Sequence, residues 1–321
     1  MKNPGGLLFI FLFLSLGLSA QPADNNYQKY YQTQGETDLF IPLGKTAFAD
    51  SIVAFNPGDP SAEKRYRNPE QSLGEPDFTR YRSLRPRFVS IGCGGVLTVK
   101  FNEIGFTDIE GPDLVFYEVG PEKEPFQVEV SIDGRNWLDL GKVEGGRSTV
   151  DLSDFLKSEE RKQVYYYIRL TDLKSSCGGP TPGADIDAIG AIGAVIRHEL
   201  KGKALFETDK FSLNKKAHES LDILLKRLKG IPKAQIHVLG HTDSDGSTAY
   251  NMQLGLNRAN AVRQYIEEQT TEKYTFSIES YGKSKPVREN ITEEGKQENR
   301  RVEIIVFPDK AFYKPSGEKE G

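Results

Sequence analysis

From about Phe40 to Val195 the apolar residues come in short runs between turns, and no helical period is sustained. Val96–Phe101, Leu114–Val119, Phe126–Val130 and Val164–Leu170 are rich in β-branched and aromatic residues, which suit a pleated, half-buried surface. Asp133-Gly134 followed by Trp137 predicts a hairpin turn that returns an aromatic side chain to the core. The pattern predicts an all-β sandwich over residues 40–197. Residues 197–203 read as a polar joint, and the period then changes. Leu221, Leu224, Leu225 and Leu228 share one helix face, which Gly230 and Pro232 terminate. Ile236 and Val238 alternate as a strand does, and Ser247–Glu268 reads as a second helix. Alternation returns at Tyr274, Phe276 and Ile278 and again at Val302, Ile304 and Val306. With an opening strand near Ala204-Leu205-Phe206, residues 198–308 read as strand–helix–strand–helix–strand–strand, an α+β domain with a mixed sheet.

The ends carry different signals. Lys2 precedes an apolar run from Leu7 to Leu18, and a small-residue boundary follows near Ser19 or Ala20, the pattern of a secretory signal over residues 1–20. The run is shorter than the roughly 20 apolar residues that span a bilayer, and no Cys follows it to carry a lipid. Residues 21–39 read as a flexible lead-in and 309–321 as a disordered tail. The strand runs are shorter than the about 9–11 residues of membrane strands, which argues against a membrane barrel.

Charge and cysteines narrow the setting. A net charge of −4 without a basic block excludes a nucleic-acid surface. Cys93 and Cys177 are the two cysteines, both in Cys-Gly-Gly contexts, and an exported chain with such a pair predicts a disulfide.

The candidate chemistry lies in Gly240-His241-Thr242-Asp243-Ser244-Asp245-Gly246-Ser247, then Tyr250-Asn251 and Arg258-Ala259. Asp243 falls in a loop after a strand, and Arg258 about two turns into the next helix, on the face that carries Asn251. An opposed carboxylate and guanidinium can hold the ammonium and carboxylate of one amino-acid centre. The same two groups could instead form a structural salt bridge at a loop–helix corner. His241 and Asp245 fall short of a catalytic or metal set.

Together with Leu254, Tyr281-Gly282 and Asn299-Arg300-Arg301-Val302-Glu303-Ile304, this order resembles the OmpA-like C-terminal domain across roughly residues 203–308. The resemblance implies binding of peptidoglycan, with Asp243 on the ammonium of diaminopimelate and Arg258 on its carboxylate. It also implies that Asn251, Arg300 and Asp209 line the same pocket. Gly255 departs from the pattern, where Ser is commoner, at a helix cost of up to about 1 kcal/mol.

In the first domain Asp108, Glu110, Asp113, Asp185 and Asp187 cluster at turns. Carboxylates on turns are the hard ligands of Ca²⁺, so Asp113, Asp185 and Asp187 are candidate structural-calcium ligands; turn capping is the alternative. Gly111-Pro112-Asp113-Leu114, Asp133-Gly134 with Trp137, and Gly183–Gly190 resemble bacterial surface β-sandwiches of the galactose-binding-like, jelly-roll type. The expected protein is therefore a non-catalytic envelope protein of a Gram-negative bacterium, periplasmic and associated with the outer membrane or cell wall. It needs no cofactor, grips peptidoglycan, and presents its sandwich to an envelope protein or a glycan. A glycan-active enzyme and a tethered lectin or adhesin are the competing readings.

Overall fold

The computed structural model describes residues 27, 29–31, 38–80, 86–120, 122–201 and 211–315. The predicted signal, the strand near Ala204 and the site candidate Asp209 lie outside the described residues. The amino-terminal part contains β1 (Lys29–Tyr31), β2 (Leu39–Ile41), β3 (Ser51–Asn56), β4 (Val89–Ser90), β5 (Val96–Lys100), β6 (Ile104–Phe106), β7 (Leu114–Glu118), β8 (Phe126–Ser131), β9 (Leu138–Val143), β10 (Arg147–Val150), β11 (Tyr167–Asp172) and β12 (Asp185–Ala191). Then come β13 (Ala194–Lys201), α1 (Lys215–Leu228), β14 (Lys233–His241), α2 (Thr248–Gln269), β15 (Lys273–Gly282), α3 (Glu293–Asn299) and β16 (Arg301–Pro308).

Two antiparallel sheets, ordered β10-β7-β12-β4 and β3-β5-β11-β8-β9, build the first part. Their inner faces meet: Phe116 of β7 and Phe126 of β8 touch edge to face at 5.5 Å, and Leu97, Val128 and Leu170 are fully buried in the same cluster. The disulfide joins Cys93 to Cys177, with Cα atoms 5.1 Å apart. Trp137 does not return to the core. It lies half-exposed with the Arg169 guanidinium 4.3 Å from its ring centroid, because Arg169 on neighbouring β11 covers the hairpin from outside.

The second sheet system runs β15-β14-β16-β13-β6 and is mixed: β14 and β15 are parallel across the α2 crossover, and the remaining pairs are antiparallel. The expected polar joint is thus corrected to a strand. In β13, Ile196 and Leu200 point into the core while Arg197 and Glu199 lie on the other face. There Arg197 pairs with Glu199, Lys201 lies 2.5 Å from Glu199, and Arg301 lies 2.7 Å from Glu303. Burial alone would raise the Glu199 carboxyl, but Arg197 and Lys201 outweigh it and hold it below its ordinary value. Charges that read as a solvated linker are a lateral ladder on a strand. The boundary at 197/198 falls inside that strand, and β6 of the first part closes the edge of the same sheet.

Both predicted loose ends are corrected where the structure describes them. Tyr31 pairs in β1 with Leu39, packs on Phe48 at 5.2 Å and donates its hydroxyl to Glu75. In the tail, Lys310–Tyr313 forms a 3₁₀ turn that buries Phe312, and the Tyr313 hydroxyl donates to the Ala194 carbonyl at 2.9 Å. Aromatic side chains hold down segments whose average composition is polar.

A fragment starting at residue 198 leaves β16 short of the residues that pair with Ile305 and Val306. Thermal melts should show it unfolding at a lower temperature than a fragment starting at 190, and equal melting temperatures would contradict the shared strand.

Candidate functional site

The chain leaves β14 at His241, makes the loop 242–247 and enters α2. Ser247 caps the helix, its Oγ accepting the Tyr250 N–H at 3.2 Å. Asn251, Leu254, Gly255 and Arg258 form one buried stripe of α2 facing β14 and β15. A Cβ on Gly240 would lie 2.0 Å from the Gly255 carbonyl oxygen, and one on Gly255 would lie 2.2 Å from Ser280 Oγ. Gly255 is therefore where the helix backbone meets the sheet, and this contact sets the depth of Asn251 and Arg258.

A cavity of about 440 Å³ opens between the loop, α2 and α3, lined by Asp243, Asp245, Asn251, Arg258, Glu293 and Arg300 among others. Arg258 is only 1% exposed. Burying a guanidinium costs several kcal/mol unless opposite charge compensates it. Asp243, Asp245 and Glu293 line the same cavity. The direct ion-pair partner of Asp243 is Arg300, whose Nη1 lies 2.5 Å from Asp243 Oδ2 while Nη2 reaches Glu293 at 2.6 Å. The Asp245 N–H donates to the other Asp243 oxygen at 3.1 Å, Asn251 donates to the Asp245 carbonyl at 2.7 Å, and Lys296 pairs with the Asp245 carboxylate. Four of the five predicted binding residues thus converge on one cavity: Asp243, Asn251, Arg258 and Arg300.

Sequence reasoning missed α3 and with it Glu293 and Lys296. The signal was present in Thr292-Glu293-Glu294, since Thr292 Oγ1 accepts the Gly295 N–H at 3.1 Å as an N-cap with acids behind it.

Residues 205–300 match the OmpA family. Over 132 residues the chain is 36% identical to the peptidoglycan-associated lipoprotein of Pseudomonas aeruginosa, spanning 40% of this chain and 78% of that protein. The chain belongs to the OmpA family. Outer membrane porin F of the same organism is also 36% identical, over 138 residues; the match spans 42% of this chain and only 39% of that relative's length. Among solved structures, the peptidoglycan-associated lipoprotein from Burkholderia pseudomallei aligns at 28% identity with a TM-score of 0.30, over 34% of this chain and 89% of that one. The family match leaves the sandwich outside it. Among the described residues no helix is long and apolar enough to cross a membrane.

Beside the OmpA-family cavity, His241 is buried against Tyr281. Its 3.5 Å approach to Glu303 is not an ion pair: burial, with Arg301 and Lys285 nearby, pushes the imidazole down to about 3. It is a buried neutral residue one position before the cavity lining begins at Thr242.

Of the expected calcium ligands, Asp113 and Asp187 accept backbone N–H groups at separate turns. Asp113 accepts the Ile109 and Leu152 N–H groups, both at 2.8 Å, and Asp187 accepts those of Asp77 and Phe78 at 3.2 Å. Among the described residues the acids whose oxygens come within 4.8 Å of one another are Asp108, Asp113 and Asp151. Burial pushes Asp113 and Asp185 up to about 8 and Asp187 up to about 7, and neighbouring Glu124 adds to the rise at Asp185.

Two measurements test these assignments. Gly240→Ala places a methyl against helix backbone and should cost about 1–3 kcal/mol in urea unfolding, the range of an overpacked contact. An unchanged midpoint would rule out the close approach. Between the unfolded carboxyl value of about 4 and the raised folded values, the native state binds more protons, so stability falls as pH rises through that window. Melting temperature should therefore drop from pH 7.5 to 8.5, above the ordinary histidine value of about 6.5, where unfolded histidines are mostly neutral. Asp185→Asn should shrink the drop, and a drop of undiminished size would refute the contribution of Asp185.

Proposed function

We propose that this protein anchors itself to peptidoglycan through the diaminopimelate of the stem peptide and is not an enzyme. The observation that carries the reading is a small cavity in the OmpA-family domain with a deeply buried Arg258 in one wall and Asp243 in the loop beside it. A free amino-acid centre offers both signs of charge. Its carboxylate accepts a bidentate fork from Arg258, and its ammonium donates charge-assisted hydrogen bonds to Asp243, at a site where low dielectric strengthens both. Arg300 and Glu293 fix the acid side, and Asn251 fixes the loop through the Asp245 carbonyl. On entry the ligand ammonium shares Asp243 with Arg300.

The relatives named outer membrane porin F and peptidoglycan-associated lipoprotein favour a place in the envelope, at the outer membrane or in the periplasm. The jelly-roll-like sandwich is then the display module, held at the wall and turned toward an envelope protein or glycan.

Co-sedimentation of the full chain with purified diaminopimelate-type peptidoglycan tests the clamp. Wild type should pellet with the wall material. Asp243→Ala and Arg258→Ala should each bind at least about tenfold more weakly, as expected when one partner of a desolvated charge pair is removed. If both folded variants pellet as wild type does, the two residues are structural and the reading fails.

A further inference from the structure

The 440 Å³ cavity has the volume of a small-ligand site, too small for a peptide together with its glycan strand. Next to it lies a larger cleft, of about 1070 Å³, formed by both parts of the molecule. Arg135, in the turn between β8 and β9, lines it from the sandwich; Val287, Arg288 and Ile291 line it from the OmpA-family domain. Glu293 lines the small cavity and its neighbour Glu294 the cleft, so α3 is the partition between them.

The partition is braced on both sides. Arg300 ties Glu293 to Asp243, Asn299 Oδ1 accepts the N–H groups of Val287 and Arg288 at 2.8 and 3.0 Å, and the Ser244 N–H donates to Asn290 at 3.1 Å. The cleft wall and the loop carrying Asp243 are one hydrogen-bonded unit.

Diaminopimelate in a cell wall is one residue of a peptide attached to a glycan strand. Whatever grips its free centre must let the remaining polymer leave the cavity. The cleft offers that polymer what it needs: guanidinium groups, one from each domain, for stem-peptide carboxylates, the carboxylates of Glu289, Glu294 and Glu298 for its amine and amide N–H groups, and exposed apolar side chains, Val287 at 49% and Ile291 at 83% exposure, for its aliphatic parts. We propose that the cleft is a second subsite for the same peptidoglycan strand, to which the sandwich contributes Arg135. The inference rests on the clamp reading above and makes the sandwich part of the binding surface.

The test compares two probes on the full chain: free meso-diaminopimelate by calorimetry, and purified diaminopimelate-type sacculi by sedimentation. Wild type should prefer sacculi. In Arg135→Glu, and separately in Ile291→Asp, both at exposed positions, the ratio of sacculus affinity to free-ligand affinity should fall at least fivefold. If wild type binds both probes and neither variant changes the ratio, the cleft belongs to some other partner and this inference alone is overturned. If wild type binds neither probe, the clamp reading is wrong and the cleft subsite falls with it.

Discussion

Backbone pairing along β13 is the constraint on which the rest of this molecule depends. Ala194–Ile196 pair with β6 on one side, and Ile196–Lys201 pair with β16 on the other. Without β13, the carbonyl and N–H groups of β16 would form an open edge at the centre of the carboxy-terminal sheet. With it, two structures of different class become one hydrogen-bonded body. Further contacts point the same way: Arg227 donates to the carbonyls of Glu103 and Arg197, and the Arg197 guanidinium lies 4.6 Å from the Tyr166 ring centroid. The cavity of the OmpA-family domain and the sandwich are thereby joined through one sheet.

Inside the cavity the governing quantity is the cost of holding charge away from water. The buried Arg300 and Asp243 are tolerable because they pair with each other, while the exposed Glu293 takes the other side of the guanidinium and Lys296 answers the exposed Asp245. The rigid frame is the Gly240–Gly255 contact, which lets a helix backbone lie directly on a strand. A zwitterion entering such a frame finds its partners already oriented and loses less entropy in binding.

The sequence was most readable where period and motif agreed. Leu221, Leu224 and Leu228 are buried on α1 as their spacing requires, and α2 starts one residue after its Ser247 cap. Asp243, Asn251 and Arg258 could be placed together because strand, loop and helix face are local geometry. What could not be read was pairing between distant segments. Arg197-His198-Glu199 looks like a linker until Glu303 and Arg301 lie beside it, and no local pattern announces partners a hundred residues away. Asp113 was ambiguous for another reason: a turn acid can meet a cation or backbone N–H groups with the same residue type, and here the Ile109 and Leu152 N–H groups meet it while Asp108 and Asp151 lie close by.

The passage from β12 to β13 has a mechanical meaning. Only Ile192 and Gly193 separate the two strands, and the Asp113 carbonyl accepts both of their N–H groups, at 2.7 and 3.0 Å. A flexible linker would let a tethered module drift and would absorb a pull as slack. Here tension between the cavity and the sandwich would pass straight into β13, whose bonds to strands on both sides are loaded in parallel and yield by shear, not one at a time. On the proposed function the molecule is a strut, keeping whatever the sandwich holds at a set distance and angle from the wall.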